Sequence, residues 1–244
     1  MSRQDVIDQI FARHPLHAGY WAMIAPTLYA FVIVGVSILL SEDVAEIIRM
    51  EREGAAQLAW TIYVMVNFAV LYRLMRWTER MQTGYFGGSL RVDPVWLWIA
   101  AGAAPFIMPT VHIVINAVTG LTPTEMLSIE TEQRQMFSPG AAGLSMAMAV
   151  IVLAPLIEEI GFRGVALGCL LGRGAPPIVA AIATSAAFAV LHTQYTLVGM
   201  IPVFVLGLFL AWLRIASGGI AAPIVAHMAA NALPIALLAL NPGG

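Results

Sequence analysis

Residues 153–164 read LAPLIEEIGFRG. Two adjacent carboxylates, Glu158 and Glu159, and a guanidinium, Arg163, stand there in a stretch otherwise fit for a lipid bilayer. An ionised side chain in hydrocarbon is costly even on lenient scales, so such groups face a protein interior and act there. That cost applies only where the surroundings are membrane.

Composition says they are. Hydrophobic residues make up 60% of the 244 and charged residues 11%, against about half and about a quarter in soluble domains. Mean hydropathy is +0.84. The expected fold is all-α, a polytopic transmembrane helical bundle, and no polar stretch is long enough to build a soluble core of its own. The net charge of -2 offers no basic field for nucleic acid, and no Gly-rich phosphate loop is present. Neither nucleic acid nor nucleotide is an expected partner. The lone Cys169 excludes an internal disulfide and a Cys-based zinc cluster.

Working outward from 153–164, apolar runs long enough to cross the hydrocarbon core fall at 18–40, 57–77, 95–119, 143–172, 176–196, 198–214 and 219–240. That predicts seven spans, or eight if the long fourth segment breaks near Pro155 rather than tilting. The first run is too long for a signal-peptide core and reads as a span. Loops at 41–57 and 121–139 carry charged and apolar residues at helical spacing, which predicts short interfacial helices. No internal repeat is found. Residues 1–140 therefore form an N-terminal region of three spans, and 141–244 hold the polar motifs, together one membrane domain.

Every basic residue is Arg. Arg3, Arg13, Arg73, Arg76, Arg80, Arg91, Arg173 and Arg214 fall on one side of the predicted spans, against Arg49, Arg52 and Arg134 on the other. The positive-inside rule then puts the N-terminus in the cytoplasm. All-Arg, Ala-rich usage suggests a bacterium of high genomic GC content, and the expected location is its inner (cytoplasmic) membrane.

Three polar groups occupy three different predicted spans: EEIGFR at 158–163, FAVLH at 188–192 and HMAAN at 227–231. Glu159 and Arg163 are four apart and share a helix face, so they can pair, whereas Glu158 lies about 100° round and stays available. Phe188 and His192, and His227 with Asn231, have the same spacing. Small residues at 164, 168 and 172, and at Ala183 and Ala187, predict close helix approach. On straight helices Glu158, His192 and His227 would lie roughly 21, 24 and 12 Å from the inner ends of their spans, so they converge only if the tilts differ. His112 and Asn116 imitate the third motif and are expected to make ordinary interhelical hydrogen bonds.

Together EEIGFRG, FAVLH and APIVAHMAAN resemble the motifs of the CAAX-prenyl-protease and bacteriocin-processing family of intramembrane proteases, which includes the type II CAAX endopeptidases and the bacterial Abi proteins. The family pattern is Glu-Glu-x-x-x-Arg, Phe-x-x-x-His and His-x-x-x-Asn, and this chain departs from it at no motif position. Only about residues 143–240 carry the resemblance. It implies a helical membrane domain with a polar cavity and peptide hydrolysis in or beside the bilayer, on a membrane-associated protein or peptide.

Amide hydrolysis needs a nucleophilic water, a base, donors for the oxyanion and an acid for the leaving amine. Glu158 is the expected base, with His192 orienting the same water. His227 and Asn231 are the expected oxyanion donors, and Glu159, Arg163 and Phe188 support them. Glu158, His192 and His227 would also make a two-His, one-carboxylate zinc set, but the local HExxH unit is missing. A metal-free mechanism is preferred because Asn231 is a poor zinc ligand and a good oxyanion donor. Two other classes of function bury similar residues: an ion-coupled transporter, disfavoured by the missing repeat, and a non-catalytic membrane scaffold.

Overall fold

The computed structural model describes residues 69, 90–122, 125, 147–172, 174–192 and 195–240. Apart from residue 69, the expected spans at 18–40 and 57–77, the loop at 41–57, and every arginine used to assign orientation except Arg91 and Arg214 lie outside the described residues. Regular structure among the described residues is all helical.

The first helix, α1 (Pro94–Thr119), starts where the sequence Asp93–Pro94 dictates. Asp93 accepts a hydrogen bond from the Val95 N–H at 3.0 Å, and Pro94 occupies the first turn, where its missing N–H costs nothing. Gly120, at φ 78, takes the left-handed position that ends the helix. Asn116 donates to the Leu121 carbonyl at 2.9 Å, so it caps its own helix, and among the described residues it makes no interhelical bond. Beyond it, Glu125 accepts from the Thr122 N–H and hydroxyl, both at 2.7 Å. The interfacial helix expected at 121–139 otherwise lies outside the described residues.

Pro155 does not break the fourth expected span. The segment 147–172, α2, is a continuous helical rod in which π-helical turns at Ala149–Leu153 and Ile160–Ala166 flank α-helical Ala154–Glu159, with α-helical Leu167–Gly172 closing it. A proline removes an N–H and crowds the carbonyl four residues back, and a widened turn absorbs both effects.

Three helices follow: α3 (Pro177–Val190), α4 (Met200–Ser217) and α5 (Ala221–Leu240). The run expected to span 176–196 thus stops at Val190. His192, Gln194 and Thr196 interrupt the apolar pattern there, and the His192 ring caps the last turn, its Nδ1 lying 2.8 Å from the Phe188 carbonyl. Helices α1 and α4 are long and apolar enough to cross a membrane, whereas α3 and Ala221–Leu237 of α5 are apolar but shorter.

Ala100 and Ala104 of α1, Leu206, Leu210 and Leu213 of α4, and Ala222, Ala226 and Ala230 of α5 form one buried cluster. Small residues on α1 and α5 let those backbones close on the α4 leucines. Outward, α1 exposes Trp98, Phe106, Ile113 and Val118, a surface matched to lipid rather than water. A close approach joins α3 to α4: a Cβ placed on Gly207 would lie 2.9 Å from Ser185 Cβ and 3.2 Å from Ser185 Cα. Packing here runs through the buried Ala181 and Ser185 face, and Ala183 of the expected stripe is exposed.

Candidate active site

The convergence that straight helices left open is realised. Glu159 and Arg163 are fully buried on α2 and paired, Arg163 Nη1 donating to Glu159 Oε1 at 2.9 Å. His227 on α5 brings its Nδ1 to the same Oε1, also at 2.9 Å. Antiparallel packing of α5 against α2 sets His227 opposite Glu159 while Asn231, one turn on, reaches back to Val150, donating from Nδ2 to its carbonyl at 2.9 Å.

Arg163 has a second tie that nothing in its motif announces. Its Nη2 donates to the Gly207 carbonyl at 3.1 Å, so one guanidinium joins α2 to α4. Its Cζ lies 4.5 Å from the Phe188 ring centroid, a desolvated cation–π contact of about 2 kcal/mol. Fully enclosed and so committed, Arg163 is a clamp within the bundle. Breaking such a pair is expensive even where the pair itself adds little net stability.

Phe188 is the hub of the three motifs. Its ring meets His192 at 4.5 Å, His227 at 5.5 Å and Phe162 at 5.3 Å between centroids, each near edge-to-face. Edge-to-face geometry places the positive edge of one ring against the negative face of another. Because Phe188 is buried with Phe162, Ala189 and Val203, it fixes both imidazoles against a rigid wall. Tyr195, in the connection between α3 and α4, stacks on the outer side of His192, 6.5 Å away and 26° from parallel.

The tautomers follow from these partners. His227 Nδ1 faces a carboxylate and His192 Nδ1 faces a carbonyl, both acceptors, so each Nδ1 carries a proton. Glu158 stands apart from the clamp. Its side chain is 23% exposed, and its Oε2 lies 3.7 Å from His227 Nε2, beyond a hydrogen bond. Of the two carboxylates, the one the pattern left unpaired is the one facing His227 Nε2.

A zinc ion would find suitable donor types here, and acceptors behind each Nδ1 also suit metal-bound histidine. Among the described residues, however, no three of His, Cys, Asp and Glu gather closely enough to cage a metal.

Gly207, Ser185 and Tyr195 also belong to the site, though none lies in the three motifs. For Gly207 a signal existed: a lone glycine inside the apolar run VFVLGLFLAW costs about 1 kcal/mol in helix propensity, which close approach repays. Ser185, with its hydroxyl buried and unpartnered, and Tyr195 carried no such mark.

Residues 140–233 match the family described as type II CAAX prenyl endopeptidase Rce1-like. An uncharacterised 24.3 kDa protein of Escherichia coli is 36% identical over 88 residues, which cover 35% of this chain and 41% of that protein. The match therefore spans less than half of that relative. No solved structure matches the chain.

Proposed function

We propose, from a chain whose residues 140–233 carry a type II CAAX prenyl endopeptidase Rce1-like domain, that this integral membrane protein is an intramembrane endopeptidase. The substrate is a membrane-associated protein or peptide, and the seven-span arrangement, with its N-terminus in the cytoplasm, is part of the same reading. The observation that carries it is the unequal state of two neighbouring carboxylates. Glu159 is buried and bonded to Arg163 and His227, whereas Glu158 is partly exposed and faces the free nitrogen of His227 at 3.7 Å.

In the mechanism, Glu158 takes a proton from a water that the His192 Nε2 lone pair orients, and the hydroxide attacks the peptide carbonyl. The tetrahedral oxyanion is met by the second N–H of Asn231 and by His227. Since His227 Nδ1–H is committed to Glu159, the ring meets the oxyanion as the imidazolium, donating from Nε2–H, and it enters and leaves the cycle with both nitrogens protonated. The proton held by Glu158 passes to the leaving nitrogen as the C–N bond breaks, and the carboxylate is restored. Fixing His227 through Glu159 and Arg163 holds the donor in place before substrate arrives.

Purified protein in liposomes, given a fluorogenic farnesylated peptide with a C-terminal CAAX sequence and a set of unmodified membrane-spanning peptides, tests this. Cleavage of a peptide bond that disappears in Glu158→Gln is the expected result. Solute uptake without cleavage would instead establish a carrier.

A further inference from the structure

Asn231 spends one of its two N–H groups on the Val150 carbonyl, 81 residues away in sequence. The acceptor is a carbonyl, so the orientation of the amide is settled: Nδ2 faces Val150 and Oδ1 faces away. Val150 lies inside the π-helical turn Ala149–Leu153. In that register a carbonyl accepts from the residue five positions on, which for Val150 is Pro155. Proline has no N–H to give. The Val150 carbonyl is thus orphaned by the sequence of its own helix, and in a membrane interior no bulk water replaces the missing donor.

We infer that Asn231 is a positioning residue for the Glu158 helix: its amide satisfies the carbonyl that Pro155 orphans, and so holds the π turn that sets where Glu158 points. The inference rests on the proposed protease reading for its effect on turnover, but not for its effect on the helix. Together with the His227–Glu159 bond, it gives α5 two grips on α2, one on each side of Glu158. Losing the Asn231 grip lets the segment before Pro155 relax and swings the base relative to His227. Misplacement by about 1 Å is worth up to about 100-fold in rate.

A cycle with Pro155 separates this role from oxyanion donation. Pro155→Ala restores a main-chain N–H beside the orphaned carbonyl, which makes the Asn231 bond redundant. In detergent, Asn231→Ala should lower the melting midpoint by a few degrees in the natural background and by much less in Pro155→Ala. Equal losses in both backgrounds would overturn the inference. If Asn231→Ala does not fold, the double variant should fold, and its failure to do so also overturns it. With the farnesylated peptide, Asn231→Ala should both slow cleavage and displace the acid limb of the kcat/KM profile, because the base has moved. A drop by one factor at every pH would reject positioning and leave Asn231 an oxyanion donor alone. If no peptide is cut by the unaltered protein, the protease reading fails on that arm while the melting cycle still decides the inference.

Discussion

Glu159 Oε1 holds two partners at 2.9 Å, Arg163 Nη1 within its own helix and His227 Nδ1 from α5. One buried oxygen therefore neutralises a cation and selects the tautomer of a histidine. The second oxygen, Oε2, is buried without a hydrogen bond, which leaves the carboxylate no alternative way to be satisfied.

Replacing the two glutamates should consequently have different signatures. Glu158→Gln is expected to abolish measurable turnover with a melting midpoint near that of the unaltered protein. Glu159→Gln removes the charge that balances Arg163 and should lower both stability and turnover. Paired melting and cleavage measurements check this, and a Glu158→Gln protein that still cuts would remove Glu158 from the mechanism.

Arg163→Ala strips the counter-charge from Glu159 and the donor from the Gly207 carbonyl. A loss of about 3 kcal/mol or more is expected, the scale for breaking a buried pair. Denaturation in mixed micelles reads it directly, and an unchanged midpoint would show that Arg163 is not the clamp described here.

Gly207→Ala should force α3 and α4 apart, because the added methyl meets Ser185 Cβ at 2.9 Å and the Ser185 backbone at 3.2 Å. Overpacking of this kind costs about 1–3 kcal/mol, enough to outweigh the roughly 1 kcal/mol that alanine gains in helix propensity. Adding Ser185→Gly takes away the nearer contact and should recover part of the loss. No recovery would place the strain elsewhere.

Metal dependence is decided by removal and return. With Glu158 and His192 acting on water directly, a chelator should leave cleavage of the peptide substrate within about twofold of the untreated rate, and removing one oxyanion donor should cost about 100-fold or more. Stoichiometric zinc that follows activity through stripping and reconstitution would overturn that mechanism while keeping the chemistry a peptide hydrolysis.

The family match at 140–233 and the helices found at α1, α4 and α5 were legible in the chain because they rest on local properties. Apolar runs set the helices, Asp93–Pro94 and Gly120 set the ends of α1, and spacing by four put Glu159 with Arg163 and Phe188 with His192. What the sequence by itself determined was therefore a helical membrane chain with three polar faces and one spare carboxylate. The tertiary structure decided which groups those faces meet. That His227 shares Glu159 with Arg163, that Arg163 reaches Gly207, and that α3 stops at Val190 with His192 as its cap all depend on other helices or on a break in apolar pattern too short to read as an end. Pro155 shows the division most sharply. Its missing N–H is visible in the sequence, but whether the helix would break or widen there depended on a donor for the stranded carbonyl, and that donor, Asn231, is brought to Val150 only by the packing of α5 on α2.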